Sequence, residues 1–329
     1  MKRLTARQYI DGILEANRVV LARAITLIES EREADRELAT EVLEACLPHT
    51  GRSRRIGVAG PPGAGKSTFL DAIGMHVIEQ RGESVAVLSV DPSSPVSGGS
   101  ILGDKTRMER LAAQDGAYVR PSASRGHLGG VARRTREAML LVEAAGFRNV
   151  WVETVGVGQS EIAVRSMTDF FLLLLIPGAG DELQGIKRGI LEMADLVAIH
   201  KADGDNRAKA EQARQAYASG LHLLRPASGG WQPRTIACSS LTGENIAAVW
   251  DMILAHDTQQ TADGGKAAQR REQSLAWMRG EVREELEFAF RRHPAVAALL
   301  PELERHVLDG VCSPAHAAAR LLALFHRKD

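Results

Sequence analysis

The fold is decided by residues 60–67, which read Gly60-Pro61-Pro62-Gly63-Ala64-Gly65-Lys66-Ser67 and precede Thr68. They fit the pattern G-x-x-x-x-G-K-[ST] and lie between a predicted strand at 55–59 and a predicted helix that begins at Ser67. The glycines let such a loop wrap phosphates, so that backbone N–H groups and the helix N-terminus face the negative charge. We expect Lys66 to reach the β and γ phosphates and the Ser67 hydroxyl to ligate Mg²⁺. The stretch therefore predicts a phosphate-binding loop, the P-loop.

Around this loop, short apolar runs alternate with longer helical stretches. The runs are residues 56–59, 84–90, 150–153, 170–176, 196–200 and 235–238. Such alternation is typical of a parallel sheet covered by helices on both faces. The sequence therefore predicts an α/β fold, a P-loop NTPase with a mostly parallel central sheet flanked by helices.

Helical segments are predicted at both ends of the chain. Helical spacing at 5–47 predicts an N-terminal extension, residues 1–50, ahead of a nucleotide-binding domain at 51–258. A polar, glycine-containing linker at 258–265 precedes a helical C-terminal arm, residues 259–329. Its first helix, predicted at 267–292, carries an apolar stripe of Leu275, Met278, Val282, Leu286 and Phe290. Because an appended amphipathic helix must bury such a face, we expect the arm to form a symmetric homodimer.

Several carboxylates are expected near the phosphates. Glu153 ends an apolar run and precedes Gly156 by three residues, which resembles the D-x-x-G segment of GTPases with Glu in place of Asp. We expect Glu153 to lie near the metal and the Gly156 N–H to face the γ-phosphate. Asp91 follows the run 85–90, and Asp104 follows in a glycine-rich stretch, 98–104. Ser67, Asp91, Asp104 and Glu153 are thus the predicted metal and water-positioning residues, although spacing alone equally allows Asp104 to be a solvated loop acid.

Two later loops carry candidate base-recognition residues. His200-Lys201-Ala202-Asp203 follows a buried run and is similar to N-K-x-D, with His200 in place of Asn. The Asp203 carboxylate is suited to accept from guanine N1 and N2, donors that adenine does not present in that arrangement, while the Lys201 stem is suited to pack on the ring. Ser239-Ser240-Leu241 resembles the S-A-x loop that contacts guanine O6. The two loops predict GTP and GDP as ligands, with a polar loop after a strand as the alternative for each.

One further loop, residues 177–187, combines glycines with charges near the presumed nucleotide edge and ends at Lys187. It is a candidate switch loop. A plain strand-to-helix turn with a solvated acidic start is the alternative.

Composition argues against several partners and locations. Lys plus Arg and Asp plus Glu both total 41, so no net basic charge attracts nucleic acid or an anionic membrane. The longest apolar run, residues 170–176, is far shorter than the roughly 20 residues that span a bilayer. The three cysteines, Cys46, Cys238 and Cys312, are isolated, which is typical of a reducing compartment, and no histidines are spaced as transition-metal ligands. Residues 1–24 lack a continuous signal-peptide core, so a cytoplasmic location is expected.

The ordered motifs together resemble the MeaB/ArgK family of G-protein chaperones for methylmalonyl-CoA mutase. They are GPPGAGKST at 60–68, DPSSP at 91–95 through GGSILGDKTRM at 98–108, RPSASRGHLGG at 120–130, ETVGVGQSE at 153–161 and HKADGDN at 200–206. The resemblance implies slow GTP hydrolysis, a homodimer made through the C-terminal arm, and gating of adenosylcobalamin delivery to a mutase that the protein also protects. It further implies that Lys66 and Ser67 bind phosphate and Mg²⁺, that Asp91, Asp104 and Glu153 form the metal and catalytic shell, and that Lys187 lies in a partner-sensing switch loop.

Two other functions share these motifs. A small-molecule kinase, such as one proposed in amino-acid transport, also combines a P-loop with carboxylates, but it needs an acceptor pocket that the sequence does not reveal. A metallocentre-insertion GTPase has the same type of fold, but it usually adds a His-rich or Cys-containing metal site, and the sequence shows none.

Overall fold

A computed structural model describes residues 3–30, 32–90, 108–120, 128–154, 160–178, 188–221 and 230–326. In this part of the chain, seven strands form one sheet in the order β3-β2-β4-β1-β5-β6-β7. Every strand pair is parallel. The strands are β1 (Arg54–Ala59), β2 (Val85–Val90), β3 (Ala117–Arg120), β4 (Asn149–Thr154), β5 (Phe170–Leu175), β6 (Leu196–Ile199) and β7 (Arg234–Ala237). The predicted α/β fold is confirmed, while the short edge strand β3 was not predicted.

Most of the other described residues lie in helices. In the described residues they are α1 (Ala6–Leu14), α2 (Arg18–Ile28), α3 (Glu33–Cys46), α4 (Lys66–Arg81), α5 (Glu109–Ala112), α6 (Leu128–Ala144), α7 (Ser160–Arg165), α8 (Arg188–Met193), α9 (Arg207–Leu221), α10 (Ile246–Ala262), α11 (Gly265–Arg292), α12 (Pro294–Leu308) and α13 (Pro314–Phe325). None of these helices is both long and apolar enough to cross a membrane.

The sheet is buried on both faces, which explains its continuous apolar runs. Along β5, Phe171 and Leu173 belong to one hydrophobic cluster, while Phe170 and Leu172 belong to another. Because successive side chains of a strand point to opposite faces, both sets must be apolar when helices cover both sides. The first cluster includes residues of α1–α3, α6, α7 and α9, and the second includes residues of α4, α5 and α10.

The chain divides into two compact units, Met1–Arg270 and Arg271–Asp329. Helices α1–α3 belong to the first unit, and their buried Ile13, Leu21 and Val42 share a core with the sheet. Side-chain caps mark the starts of α1 and α2. Thr5 and Gln8 form a capping box at α1, and the Asn17 side chain accepts from the N–H groups of Val19 and Val20 at α2.

The second unit has a small core of its own, made by Val296, Leu303, Ala317 and Leu321. Phe290, predicted to continue the apolar stripe of α11, is partly buried against this core, and its ring lies 5.4 Å from that of Phe325. The other stripe residues, Leu275, Met278, Val282 and Leu286, are 50–57% exposed. Helical periodicity alone does not distinguish the partly buried Phe290 from the four exposed stripe residues, because all five lie on one side of α11.

A buried ion pair holds the first six residues of α11 to the sheet unit. Arg270 donates from Nε to Asp169 Oδ1 at 2.7 Å and from Nη2 to Asp169 Oδ2 at 2.6 Å. It also donates to the carbonyl oxygens of Gly51 and Ser53, at 2.6 Å each. Burial alone would raise the pKa of Asp169, but the hydrogen bonds and charge of Arg270, with the charges of Lys266 and Arg55, hold that pKa below its usual value.

We expect Arg270→Met to lower the free energy of unfolding by about 3 kcal/mol at pH 7, because it leaves the buried Asp169 carboxylate poorly compensated. A carboxylate with a depressed pKa stabilises the fold above its unfolded pKa of about 3.9, and this contribution is lost as pH falls through the folded pKa. The difference between the two proteins should therefore shrink below about pH 4. Urea unfolding at several pH values measures it. Arg271→Met, at the exposed neighbour, is the control, and equal losses in both variants would contradict this role of Arg270.

Candidate nucleotide-binding site

The candidate site lies at the carboxyl edge of the sheet. Strand β1 pairs with β4 on one side and with β5 on the other, so the P-loop that follows β1 emerges at the centre of the sheet. Because all strands are parallel, the segments after β4, β6 and β7 emerge at the same edge. This is the edge at which open α/β sheets bind ligands.

Glycines let the P-loop run where no side chain fits. A Cβ built on Gly60 would lie 2.1 Å from the carbonyl oxygen of Leu174 in β5, and one built on Gly65 would lie 2.9 Å from the His200 ring. Gly65 also has a φ of 85° and is the N-cap of α4. Since glycine has no side chain to cap that first turn, the N–H groups of the turn are suited to an anion.

Lys66 lies within the loop. Its Nζ donates to the carbonyl oxygens of Gly60 at 2.7 Å and Pro61 at 3.2 Å. Burial lowers the pKa of the Lys66 ammonium, while the negative charges of Glu153 and Glu161 act in the opposite direction. Glu161 lies buried near the start of α7 and was not among the predicted site residues. Its position eight residues after Glu153 in the ETVGVGQSE motif was the available signal.

Ser67 and Glu153, two of the predicted metal ligands, lie in contact with each other. The Ser67 hydroxyl donates to Glu153 Oε1 at 3.1 Å, which joins the first turn of α4 to the end of β4. A hydroxyl and a carboxylate are hard oxygen donors, so the pair fits Mg²⁺, which usually keeps several waters and takes only one or two carboxylates. The described ranges contain no cluster of three or more His, Cys, Asp or Glu side chains suited to a metal.

Four predicted site residues, Asp91, Asp104, Gly156 and Lys187, lie outside the described residues. Their predicted roles beside the phosphates and in the switch loop stay predictions.

The two base-recognition loops meet each other. Ser239 Oγ donates to Asp203 Oδ2 and accepts from the N–H groups of Leu241 at 3.2 Å and Thr242 at 3.3 Å. The N–H of Ala202 donates to the carbonyl oxygen of Cys238 at 3.1 Å. The second loop thereby fixes one oxygen of the Asp203 carboxylate in orientation.

Two further side chains of these loops have different surroundings: Lys201 lies near the P-loop, and Leu241 is exposed to solvent. Exposed Lys201 has a φ of 58°, and its Cε lies 3.6 Å from the position that a Cβ on Gly65 would take. Its aliphatic stem therefore passes over the P-loop. The Leu241 side chain is 84% exposed.

His200 connects the loops to the phosphate side. Its Nδ1 lies 2.7 Å from the carbonyl oxygen of Ala64, and its Nε2 lies 2.7 Å from Ser240 Oγ. The structure thus brings the predicted P-loop, N-K-x-D-like and S-A-x-like segments into one site.

A parallel sheet whose P-loop meets the Ser67–Glu153 pair and two candidate base-recognition loops is typical of P-loop nucleotide-binding proteins of the GTPase class. The chain belongs to the methylmalonyl-CoA mutase-associated GTPase MeaB family, whose model matches residues 21–295. It is 50% identical over 282 residues to the GTPase ArgK of Escherichia coli, which covers 86% of this chain and 85% of that protein.

Two further relatives extend this likeness. The chain is 47% identical over 324 residues to the mitochondrial methylmalonic aciduria type A homolog of Mus musculus, covering 95% of this chain and 78% of the mouse protein. A solved structure described as a LAO/AO transport system kinase is 37% identical, covers 99% of both chains and has a TM-score of 0.80.

We expect Lys66→Ala to weaken GTP binding, because it removes a charge-assisted hydrogen bond to phosphate worth about 1.5 to 3 kcal/mol. This corresponds to a loss of about tenfold or more in affinity at pH 7.5, measured by calorimetric titration. Hydrolysis should largely disappear as well. Lys209→Ala, at an exposed position of α9, is the control. Near-normal turnover in a folded Lys66→Ala protein would rule out the assignment.

Proposed function

We propose that this protein is a Mg²⁺-dependent GTP hydrolase, which converts GTP to GDP and phosphate and serves as a chaperone of adenosylcobalamin-dependent methylmalonyl-CoA mutase. In this role it gates cofactor loading of the mutase in the cytoplasm and protects the mutase, with no nucleic acid or membrane as partner. The observation that carries the hydrolase proposal is the hydrogen bond of Ser67 to Glu153. It joins the P-loop to the strand end where a γ-phosphate sensor is expected. The family description and the name of the mouse relative support the partner.

Different residues of the site have different proposed roles in hydrolysis. Loop N–H groups and Lys66 would bind the phosphates, and Ser67 and Glu153, with the predicted ligands Asp91 and Asp104, would hold Mg²⁺. When bound, Mg²⁺ neutralises charge on the phosphate oxygens. Lys66 would stabilise the charge that develops as water attacks the γ-phosphate, and the Gly156 N–H is predicted to face that phosphate. The base is selected by five residues of the two base-recognition loops, Lys201, Asp203, Ser239, Ser240 and Leu241.

A kinase is the second candidate, and the description of the structurally similar transport-system protein favours it. A kinase moves the γ-phosphate to an acceptor, whereas a hydrolase releases it as inorganic phosphate. Equal amounts of GDP and inorganic phosphate in the absence of any acceptor therefore support the hydrolase. Nucleotide turnover that requires an added small molecule would support the kinase.

The partner signal is proposed to reach the site through Lys187. If the mutase positions this cation against the developing phosphate charge, stabilisation present only in the complex raises turnover. We therefore expect Lys187→Ala to leave basal GTP hydrolysis almost unchanged and to remove most of the stimulation by the mutase, whereas Glu153→Ala impairs both. Phosphate release with and without cofactor-loaded mutase measures this. If Lys187→Ala is stimulated as strongly as the unmodified protein, loop 177–187 is not the coupling element.

A homodimer is proposed to form through the exposed stripe of α11. Leu275, Met278, Val282 and Leu286 recur every three or four residues and are about half exposed. Four large apolar side chains on one helical face form a surface that a second copy of the same helix matches by two-fold symmetry.

We expect the unmodified protein to be a dimer by light scattering, and the double variant Met278→Glu/Val282→Glu to be a monomer, because charges in an apolar interface are costly to bury. Ala276→Glu also adds a charge at an exposed position of α11 but lies about 100° from Leu275 around the helix axis, and it should remain a dimer. An unmodified protein that is monomeric, or a double variant that stays dimeric, contradicts this interface.

A further inference from the structure

His200 occupies the junction of the three loops that make the nucleotide site. It directly follows β6, its side chain is 3% exposed, and its ring makes an edge contact with Phe69 of α4 at 5.9 Å. The ring lies where a side chain on Gly65 would otherwise be, so the glycine and the imidazole fit each other. This is also the position at which the sequence departs from the N-K-x-D pattern.

The partners of the two ring nitrogens determine the tautomer. Nδ1 lies 2.7 Å from the carbonyl oxygen of Ala64, which can only accept a hydrogen bond, so Nδ1 carries the proton. The backbone N–H of Ser240, which can only donate, points at Nε2 at 3.3 Å, so Nε2 presents its lone pair. The Ser240 hydroxyl, 2.7 Å from Nε2, is also suited to donate to that nitrogen. Only the neutral imidazole with its proton on Nδ1 satisfies both backbone partners.

The surroundings favour this neutral form. Burial lowers the pKa of His200 and the charge of Lys201 lowers it further, whereas the hydrogen bond to Ala64 and the charge of Asp203 act in the opposite direction. The net result is a pKa below the usual value of about 6.5. A protonated ring would place an N–H against the N–H of Ser240 and break the link to the second base-recognition loop.

We propose that His200 is a positioning residue that ties the P-loop to the base-recognition loops, one ring nitrogen donating to Ala64 and the other accepting from Ser240. The link fixes the spacing between the phosphate subsite and the base subsite. An Asn amide offers one donor and one acceptor from a single group, and the imidazole provides the same pair from its two nitrogens. The inference rests on the proposed binding of guanine nucleotides.

Two substitutions distinguish the contribution of the His200 hydrogen bonds to GDP affinity from the contribution of the ring volume. His200→Phe keeps a ring beside Phe69 but removes both nitrogens and leaves the Ala64 carbonyl without this donor. His200→Asn restores one donor and one acceptor. We expect GDP affinity at pH 7.5 to fall about tenfold or more in His200→Phe and to stay within about threefold of the unmodified protein in His200→Asn. The exposed His49→Asn is the control.

Kinetics and pH distinguish positioning from general loss of structure. In the described part of the chain, the hydrogen bonds and ring contact of His200 are with Ala64, Ser240 and Phe69 rather than with Lys66, Ser67 or Glu153. His200→Phe should therefore raise KM for GTP by about the same factor and change kcat less than about threefold. GDP affinity of the unmodified protein should fall as pH drops through the lowered pKa of His200, whereas His200→Asn, which has no imidazole to protonate, should lose less. If circular dichroism shows that His200→Phe does not fold, the role of His200 is still tested by comparing the pH dependence of GDP affinity between the unmodified protein and His200→Asn.

The outcomes separate this inference from the proposed function. Failure of the unmodified protein to bind GDP or GTP would overturn the proposed function together with this inference. Normal GDP binding by the unmodified protein and equally tight binding by His200→Phe would overturn only the role of His200. The same holds if His200→Asn binds as weakly as His200→Phe, or shows the same pH dependence as the unmodified protein.

Discussion

The close approach of the P-loop to the backbone of β5 is the constraint on which the rest of the site depends. Only glycine fits at position 60, where a Cβ would lie 2.1 Å from the carbonyl oxygen of Leu174. With the loop held there, α4 begins at Lys66 and places Ser67 against Glu153 at the end of β4. The same loop offers the Ala64 carbonyl to His200 after β6. The ends of three strands thus meet at one loop, which is why residues so distant in the sequence act in one place.

Much of this arrangement could be predicted from the sequence, because it depends on local pattern. The P-loop motif carries its own geometry, and burial of β5 on both faces leaves a continuous apolar run at 170–175. Strand β3 escaped prediction because it has only four residues, two of them partly exposed, and offers neither a long run nor a clear alternation. The contact of Phe290 with Phe325 and the pairing of His200 with Ala64 arise from long-range packing that spacing along one segment does not encode.

The electrostatics of the site give a physical reason why a divalent cation would favour nucleotide binding. Lys66 lies in the fields of two buried carboxylates, Glu153 and Glu161, and such negative charge would by itself oppose a triphosphate. Ser67 and Glu153 would hold a cation that offsets that repulsion, while the loop N–H groups and Lys66 would meet the remaining charge of the phosphates. Membership of the family of methylmalonyl-CoA mutase-associated GTPases agrees with a nucleotide site of this kind.

The central claim is that this P-loop site serves guanine nucleotides, with the base read by Asp203. Calorimetric titration of the unmodified protein with GDP and with ADP, each in the presence of Mg²⁺, tests it most directly. A carboxylate that accepts from two guanine donors favours GDP by about two charge-assisted hydrogen bonds, so GDP should bind at least about a hundredfold more tightly than ADP. Equal affinities, or a preference for ADP, would contradict the account.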